Sequence, residues 1–151
     1  MTSITPRPET LRRDGGCLCG AVRVSARVET EVQACHCVQC QRWTGGGPLF
    51  CVPVSDVTVI GEDALTAYRA SDWGERLFCA TCGSTVLWRM QDRPINYLAV
   101  GLFDDQTGLR VTDEIFIDHR APWLPPFPGA AESSEAQEMV KLDAFLTGAT
   151  L

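Results

Sequence analysis

The sequence predicts a mainly β domain, its short strands punctuated by cysteine knuckles and followed by one short helix near the C-terminus. Three observations carry that expectation. Apolar and polar residues alternate with a period of two in several stretches, the mark of a strand with one buried face. Most of the eight cysteines fall in tight C-x-C and C-x-x-C groups, two of them beside glycines that permit the turn of a knuckle. Near the C-terminus, Ser134 and Gln137 make a capping-box pattern ahead of an apolar face at helical spacing.

Taken in order, Val22, Val24, Ala26 and Val28 alternate with Arg23, Ser25 and Arg27, so a strand follows Gly20. Residues 41–48 are expected as a turn, because Gly45, Gly46 and Gly47 are poor helix residues. Residues 49–54 read as a strand in which Pro53 marks an edge or the end, since proline cannot donate to a ladder. Residues 57–60 resume the β-branched pattern. Residues 65–69 and 76–79 form short strands on either side of 71–74. With residues 84–90 the second of these makes a hairpin over 76–90, Cys79 and Cys82 at its tip. Residues 95–103 and 111–118 complete the sheet. Four prolines within residues 121–128 exclude a central strand or helix there. An extended surface segment is expected instead, with Trp123 and Phe127 anchored in apolar grooves. In the final helix Met139, Leu142 and Leu146 share one face, with Val140 and Phe145 beside it. The chain therefore divides into a polar extension over 1–14, one cysteine-rich domain over 15–128 and a helix or tail over 129–151. No internal repeat and no linker marks a second domain.

The cysteines sort by spacing. Cys17 and Cys19 form a C-x-C pair, Cys79 and Cys82 a C-x-x-C pair, and together they supply the four thiolates of a tetrahedral zinc site. Cys35, Cys37 and Cys40 sit within the run Cys35-His36-Cys37-Val38-Gln39-Cys40 and form a set of three. Cys51 is left over. Metal binding is favoured over disulfides, because residues 1–14 lack the apolar core of a secretory signal and C-x-C spacing is awkward for a disulfide. A reducing cytosol is the expected setting.

Composition limits the function classes. A chain of 151 residues with 45% hydrophobic and 21% charged residues is an ordinary soluble domain, and it contains no apolar run long enough for a membrane span. The net charge is −6, and one lysine and twelve arginines are spread along the chain. Nucleic-acid binding, which needs dense positive charge, is not expected.

The stretches Gly15-Gly16-Cys17-Leu18-Cys19-Gly20, Cys35-His36-Cys37-Val38-Gln39-Cys40, Thr44-Gly45, Phe78-Cys79-Ala80-Thr81-Cys82-Gly83-Ser84 and Ala121-Pro122-Trp123 resemble, in order, those of a known family. It is the family of glutathione-dependent formaldehyde-activating enzymes and centromere-protein-V-like domains. The resemblance runs from about Gly15 to Trp123. It implies a mostly β, Mss4-like fold with two zinc ions per chain. It further implies that Cys17, Cys19, Cys79 and Cys82 hold a structural zinc, and that Cys35, Cys37 and Cys40 hold a catalytic one. The implied reaction is a carbon–sulfur lyase step run in reverse, the glutathione thiol adding to formaldehyde to give S-(hydroxymethyl)glutathione.

Other residues are weighed on their own chemistry. Cys51 lies in an apolar strand, either a buried core thiol or a fourth ligand that would close the central site. C-x-C geometry points His36 away from the metal, to a supporting position behind the ligands or to the rim, and His119 is expected at the surface beside the site's wall. Arg42 and Arg120 are candidate holders of the substrate's carboxylates, which guanidinium groups grip bidentately. The amides of Gly45, Gly46 and Gly47 offer a candidate anion nest behind the trio. Two readings follow: a zinc-dependent enzyme acting on a small thiol and an aldehyde, or a non-catalytic zinc module that binds a protein partner.

Overall fold

The computed structural model describes residues 10–91 and 93–148, and its contacts divide them into two compact units. The first unit runs up to Thr30 and again over Val52–Leu109; the second comprises Glu31–Cys51 and the chain from Arg110 onward. The fold is mainly β, with ten strands and two α-helices among the described residues. No helix is long and apolar enough to cross a membrane, again among the described residues.

In the first unit β1 (Leu11–Gly16) pairs antiparallel with β2 (Arg23–Val28), and β2 with the later part of β4 (Leu49–Ile60). A second antiparallel set joins β5 (Leu65–Tyr68), β6 (Gly74–Cys79), β7 (Thr85–Met90) and β8 (Asn96–Ala99) in that order. Alternation does its expected work in β2, where Val24, Ala26 and Val28 are buried and Arg23 and Arg27 exposed. Val86, Leu87 and Leu98 form the matching core of the β6–β7–β8 set. The expected hairpin is present, with Cys79 closing β6 and Cys82 in the turn.

Several elements differ from expectation. Residues 11–14, read as part of a polar extension, begin β1; residues 1–9 of that extension lie outside the described residues. β1 carries no apolar alternation because its inward positions are Arg13 and Gly15. The buried Arg13 guanidinium donates to the carbonyls of Asp105 and Thr107, both at 2.7 Å, so an arginine fills an inward site by capping a loop. The strands expected over 49–54 and 57–60 are one, β4. Their apparent gap is a bulge, in which the register to β2 shifts between Ser25 and Arg27 and Asp56 takes φ 54. Pro53 falls where the ladder to β3 has ended at Cys51 and that to β2 begins at Val54.

The second unit is built on β3 (Glu31–Cys35), β9 (Arg110–Ile115) and β10 (Ala131–Ser133). β9 runs parallel to both neighbours, and β3 pairs antiparallel with the first residues of β4. The first half of the turn expected over 41–48 is instead the end of a helix, α1 (Val38–Thr44), and only the residues from Gly45 onward turn. Its glycines end the helix rather than prevent it: Gly45, at φ 86, is the left-handed cap whose amide donates to the Gln41 carbonyl. The strand expected to reach residue 118 stops at Ile115, and a 3-10 turn covers Ile117–His119. Phe127 packs edge-to-face on Phe50 at 5.5 Å, but Trp123 is 72% exposed. A turn closed by the Leu124 amide on the Ala121 carbonyl carries Trp123 to the surface instead of into the expected groove. Helix α2 (Glu135–Thr147) starts with the expected capping box, Ser134 and Gln137 exchanging both hydrogen bonds. Ala144 is its buried residue, whereas Met139, Val140, Phe145 and Leu146 remain exposed.

Gly15 gives this fold a direct check. A Cβ there would lie 2.0 Å from the Leu102 carbonyl oxygen, while one at Gly101 would meet nothing within 4 Å. Gly15→Ala is expected to cost about 1–3 kcal/mol or more by overpacking, and Gly101→Ala less than about 0.5 kcal/mol, as read by urea unfolding.

Candidate metal centres

In the first unit two tight turns bring four sulfurs together. Between β1 and β2 the Cys17 amide donates to the Val22 carbonyl and the Gly20 amide to the Cys17 carbonyl, with Gly20 at φ 82. At the β6–β7 tip the Gly83 amide donates to the Cys79 carbonyl at 2.8 Å, with Gly83 at φ 79. The sulfurs of Cys17 and Cys19 lie 3.6 Å apart and those of Cys19 and Cys79 3.8 Å apart. All four, with Cys82, fall within 4.8 Å of one another. Thiolates about 2.3 Å from one centre at tetrahedral angles sit about 3.8 Å apart, so the donor set fits a metal such as zinc. Ser84 joins the two turns, its hydroxyl accepting from the Leu18 amide at 3.0 Å and lying 3.2 Å from the Cys82 sulfur.

The four thiols do not share their protons evenly. The Ser84 hydroxyl, then the amides of Ser84 and Cys19, bring Cys82 down to about 5. The Ala21 amide pulls Cys19 down, but desolvation and the sulfurs of Cys17, Cys82 and Cys79 outweigh it and push Cys19 up to about 11. Burial acts upward on Cys17, yet the Val22 amide and the Cys19 and Cys79 thiols hold it below its usual value. Crowded thiolates repel one another, so full ionisation of such a set calls for a cation.

The second unit holds the trio. Cys35 ends β3, Cys37 is the N-cap of α1, and Cys40 is that helix's buried residue. The Cys37 sulfur accepts from the Cys40 amide at 3.2 Å, and the three sulfurs lie within 4.8 Å of one another. Hydrogen bonds to the other two thiols, together with burial, raise the Cys35 thiol far above its ordinary range. This set too could hold a metal ion. Cys51 is not part of it: its buried sulfur lies 3.8 Å from both the side-chain nitrogen and the carbonyl oxygen of Gln33. Among the described residues, the candidate donors grouped at this centre are therefore three.

His36 points away from the cluster as expected and, of its two expected places, takes the supporting one, in the core, rather than the rim. It is 1% exposed, with Nε2 2.9 Å from Oε1 of the fully buried Glu114. Glu114 also accepts from the Phe127 amide at 2.9 Å and faces Arg120 at 3.3 Å. Burial alone would raise this carboxyl; the Phe127 amide, His36 and Arg120 hold it below its usual value. Arg120 is thus engaged by Glu114 and, at 3.0 Å, by Glu132. Arg42 is exposed in the last turn of α1. Of the glycines, Gly45 spends its amide on the helix cap; Gly46 and Gly47 follow at φ 142 and 67.

Gln41 went unnoticed in the sequence, yet its side-chain nitrogen donates to the carbonyls of His36 at 2.7 Å and His119 at 2.8 Å. His119, partly exposed as expected, has Nε2 2.7 Å from Oε2 of Glu135, and Asp118 completes a cluster of three. The Glu135 hydrogen bond raises the His119 pKa, with smaller contributions from the charges of Asp118, Glu135 and Cys37 and with desolvation opposing. Glu114 and Glu135 carry no local sequence signal, because what they bind lies 78 and 16 residues away.

The family described as "Glutathione-dependent formaldehyde-activating enzyme" matches residues 12–119. An uncharacterized lyase of Schizosaccharomyces pombe is 30% identical over 74 residues, which is 48% of this chain and 54% of that protein; the match thus spans about half the relative's length. A solved Rhodobacter sphaeroides protein, 22% identical, shares the fold over 80% of this chain and 99% of its own, with a TM-score of 0.52.

The two centres are expected to respond differently to loss of a ligand. Cys79→Ser breaks a cluster joining turns 60 residues apart and should remove much of a stability margin of about 5–15 kcal/mol. Cys37→Ser should leave a folded protein short of about one metal equivalent. Metal analysis and thermal melts distinguish the two, and equal loss of Tm would contradict the difference.

Proposed function

Because this chain belongs to the family of glutathione-dependent formaldehyde-activating enzymes, we propose that it is a zinc-dependent carbon–sulfur lyase of small thiols and aldehydes. Glutathione is the default thiol and formaldehyde the default aldehyde, and the reaction makes or breaks the carbon–sulfur bond of an S-hydroxyalkyl adduct. The observation that carries this reading is the central cluster of three sulfurs, Cys35, Cys37 and Cys40, with Cys51 engaged at Gln33 instead. A fourth cysteine would favour a purely structural site; three leave one coordination position for substrate. Cys17, Cys19, Cys79 and Cys82 are assigned to a second, structural zinc. A cytosolic setting suits a chain in which seven of the eight cysteines group as candidate metal ligands.

When bound by the trio, zinc would supply a fourth position at which a thiol gives up its proton and becomes the nucleophilic thiolate. The protein's own groups do the rest. Buried Cys35 and Cys40 fix the cluster from beneath, while half-exposed Cys37 marks its accessible side. Arg42, exposed in the last turn of α1 two residues past Cys40, is the first holder for a substrate carboxylate. Gly46 and Gly47 would present their amides as a second anchor, with Gly45 confined to capping α1. Arg120 would serve only by exchanging Glu132, the more exposed of its two carboxylate partners, for the substrate.

Glutathione binding to the zinc-loaded protein is expected to release about one proton per site near neutral pH. Calorimetry in two buffers of different ionisation enthalpy reads that proton. S-methylglutathione, which cannot form a thiolate, should bind much more weakly; equal binding with no proton released would turn the assignment toward a non-catalytic binding module. Arg42→Ala should weaken glutathione about tenfold, the scale of one charge-assisted hydrogen bond, with zinc content unchanged.

A further inference from the structure

The trio and His119 leave the second unit's strands at the same end. β3 and β9 are parallel neighbours with Cys35 opposite Ile115, so the segments that follow them emerge side by side. The His36 amide donates to the Ile115 carbonyl at 3.0 Å, and the Gln41 side chain ties the His36 and His119 carbonyls together. Between β9 and His119 the backbone turns at Phe116, a bulky residue in the left-handed region at φ 57, ψ 43. Such strain persists where surrounding structure enforces it, often at functional sites. The imidazole is then oriented by a carboxylate from another element: Nε2 meets Glu135 of α2, whose own amide is held by Asp118 at 2.9 Å. A ring held by a carboxylate and partly open to solvent, beside a cluster suited to a nucleophile, is the arrangement of an acid–base residue.

We propose that His119, oriented by Glu135, is the proton-transfer residue of the central site. The proposal rests on the lyase reading and adds a residue to it. As the thiolate's electron pair forms the carbon–sulfur bond, the carbonyl π pair moves to oxygen. Protonated His119 gives that oxygen a proton from Nδ1, since Nε2 is taken by Glu135. The thiol's own proton has gone to solvent, from which the partly exposed ring is reprotonated; adduct cleavage runs the same transfers backward. The hydrogen bond to Glu135, and more weakly the charges of Asp118, Glu135 and Cys37, favour the protonated ring the step requires.

The test uses the zinc-loaded full chain and two variants, His119→Gln and Glu135→Gln. His119→Gln should lower kcat about 10²–10⁴-fold, with zinc content and the heat of glutathione binding unchanged. Activity of the wild-type protein should fall as pH rises through the His119 pKa, and this limb should vanish in His119→Gln. In Glu135→Gln it should move to lower pH. A readout independent of turnover is available because the chain has two histidines. With imidazoles labelled by nitrogen-15, the ring signal absent from His119→Gln should shift when glutathione is added to the wild type. The proposal is overturned if His119→Gln keeps kcat within about twofold, if it loses zinc or thiol binding, or if the ring ignores bound glutathione. Wild-type protein that binds no glutathione would overturn the lyase reading itself, and this role with it.

Discussion

Sulfurs held 3.6–3.8 Å apart are the constraint on which the first unit turns. At that spacing thiols share hydrogen bonds, but their ionised forms repel, and the protons distribute unevenly, from Cys82 at about 5 to Cys19 at about 11. A divalent cation held there would convert that repulsion into four bonds, and the energy of metal binding would become energy of folding. The geometry is prepared by backbone rather than by the sulfurs themselves. Left-handed Gly20 and Gly83 close two turns, and the Ser84 hydroxyl pins one to the other. The turn between β1 and β2 and the tip of the β6–β7 hairpin are thereby fixed at a single point.

In the second unit a buried carboxylate has the comparable role. Glu114 is withdrawn from solvent and would be costly as an unpaired charge. The Phe127 amide, the His36 ring and Arg120 all converge on it. Because His36 stands between two cysteines of the trio, satisfying Glu114 also sets how the C-x-C segment leaves β3. Gln41 fixes the same segment from the other side through the His36 carbonyl. The central cluster is thus positioned by polar partners that lie outside the set of three sulfurs, a common means of orienting candidate ligands. Arg120 is part of this support, its guanidinium shared between Glu114 and Glu132.

Legibility in the sequence followed the range of each interaction. Alternation revealed β2 and the β6–β7 hairpin, and the capping box revealed α2, because each depends on residues two to four apart. β1 was hidden since its inward Arg13 is satisfied by loop carbonyls 92 and 94 residues away. β3 was legible in principle from Val32 and Ala34 alternating with Gln33. α1 is masked in the sequence by Gly45, Gly46 and Gly47, poor helix residues that follow its last turn and end it. Trp123 was misplaced because an apolar residue says nothing of where a proline-rich turn will carry it.

The sequence by itself determined how the candidate metal ligands group: cysteine spacing divides them into four and three before any fold is known, since knuckles are local and need only short turns. It also determined the mainly β class and the C-terminal helix. Tertiary structure alone decided what surrounds those ligands. The exclusion of Cys51 from the trio, the burial of His36 on Glu114, the engagement of Arg120 and the placing of His119 all rest on contacts between distant segments. Parallel pairing of β3 with β9 creates that neighbourhood, and no local pattern encodes which strands become partners.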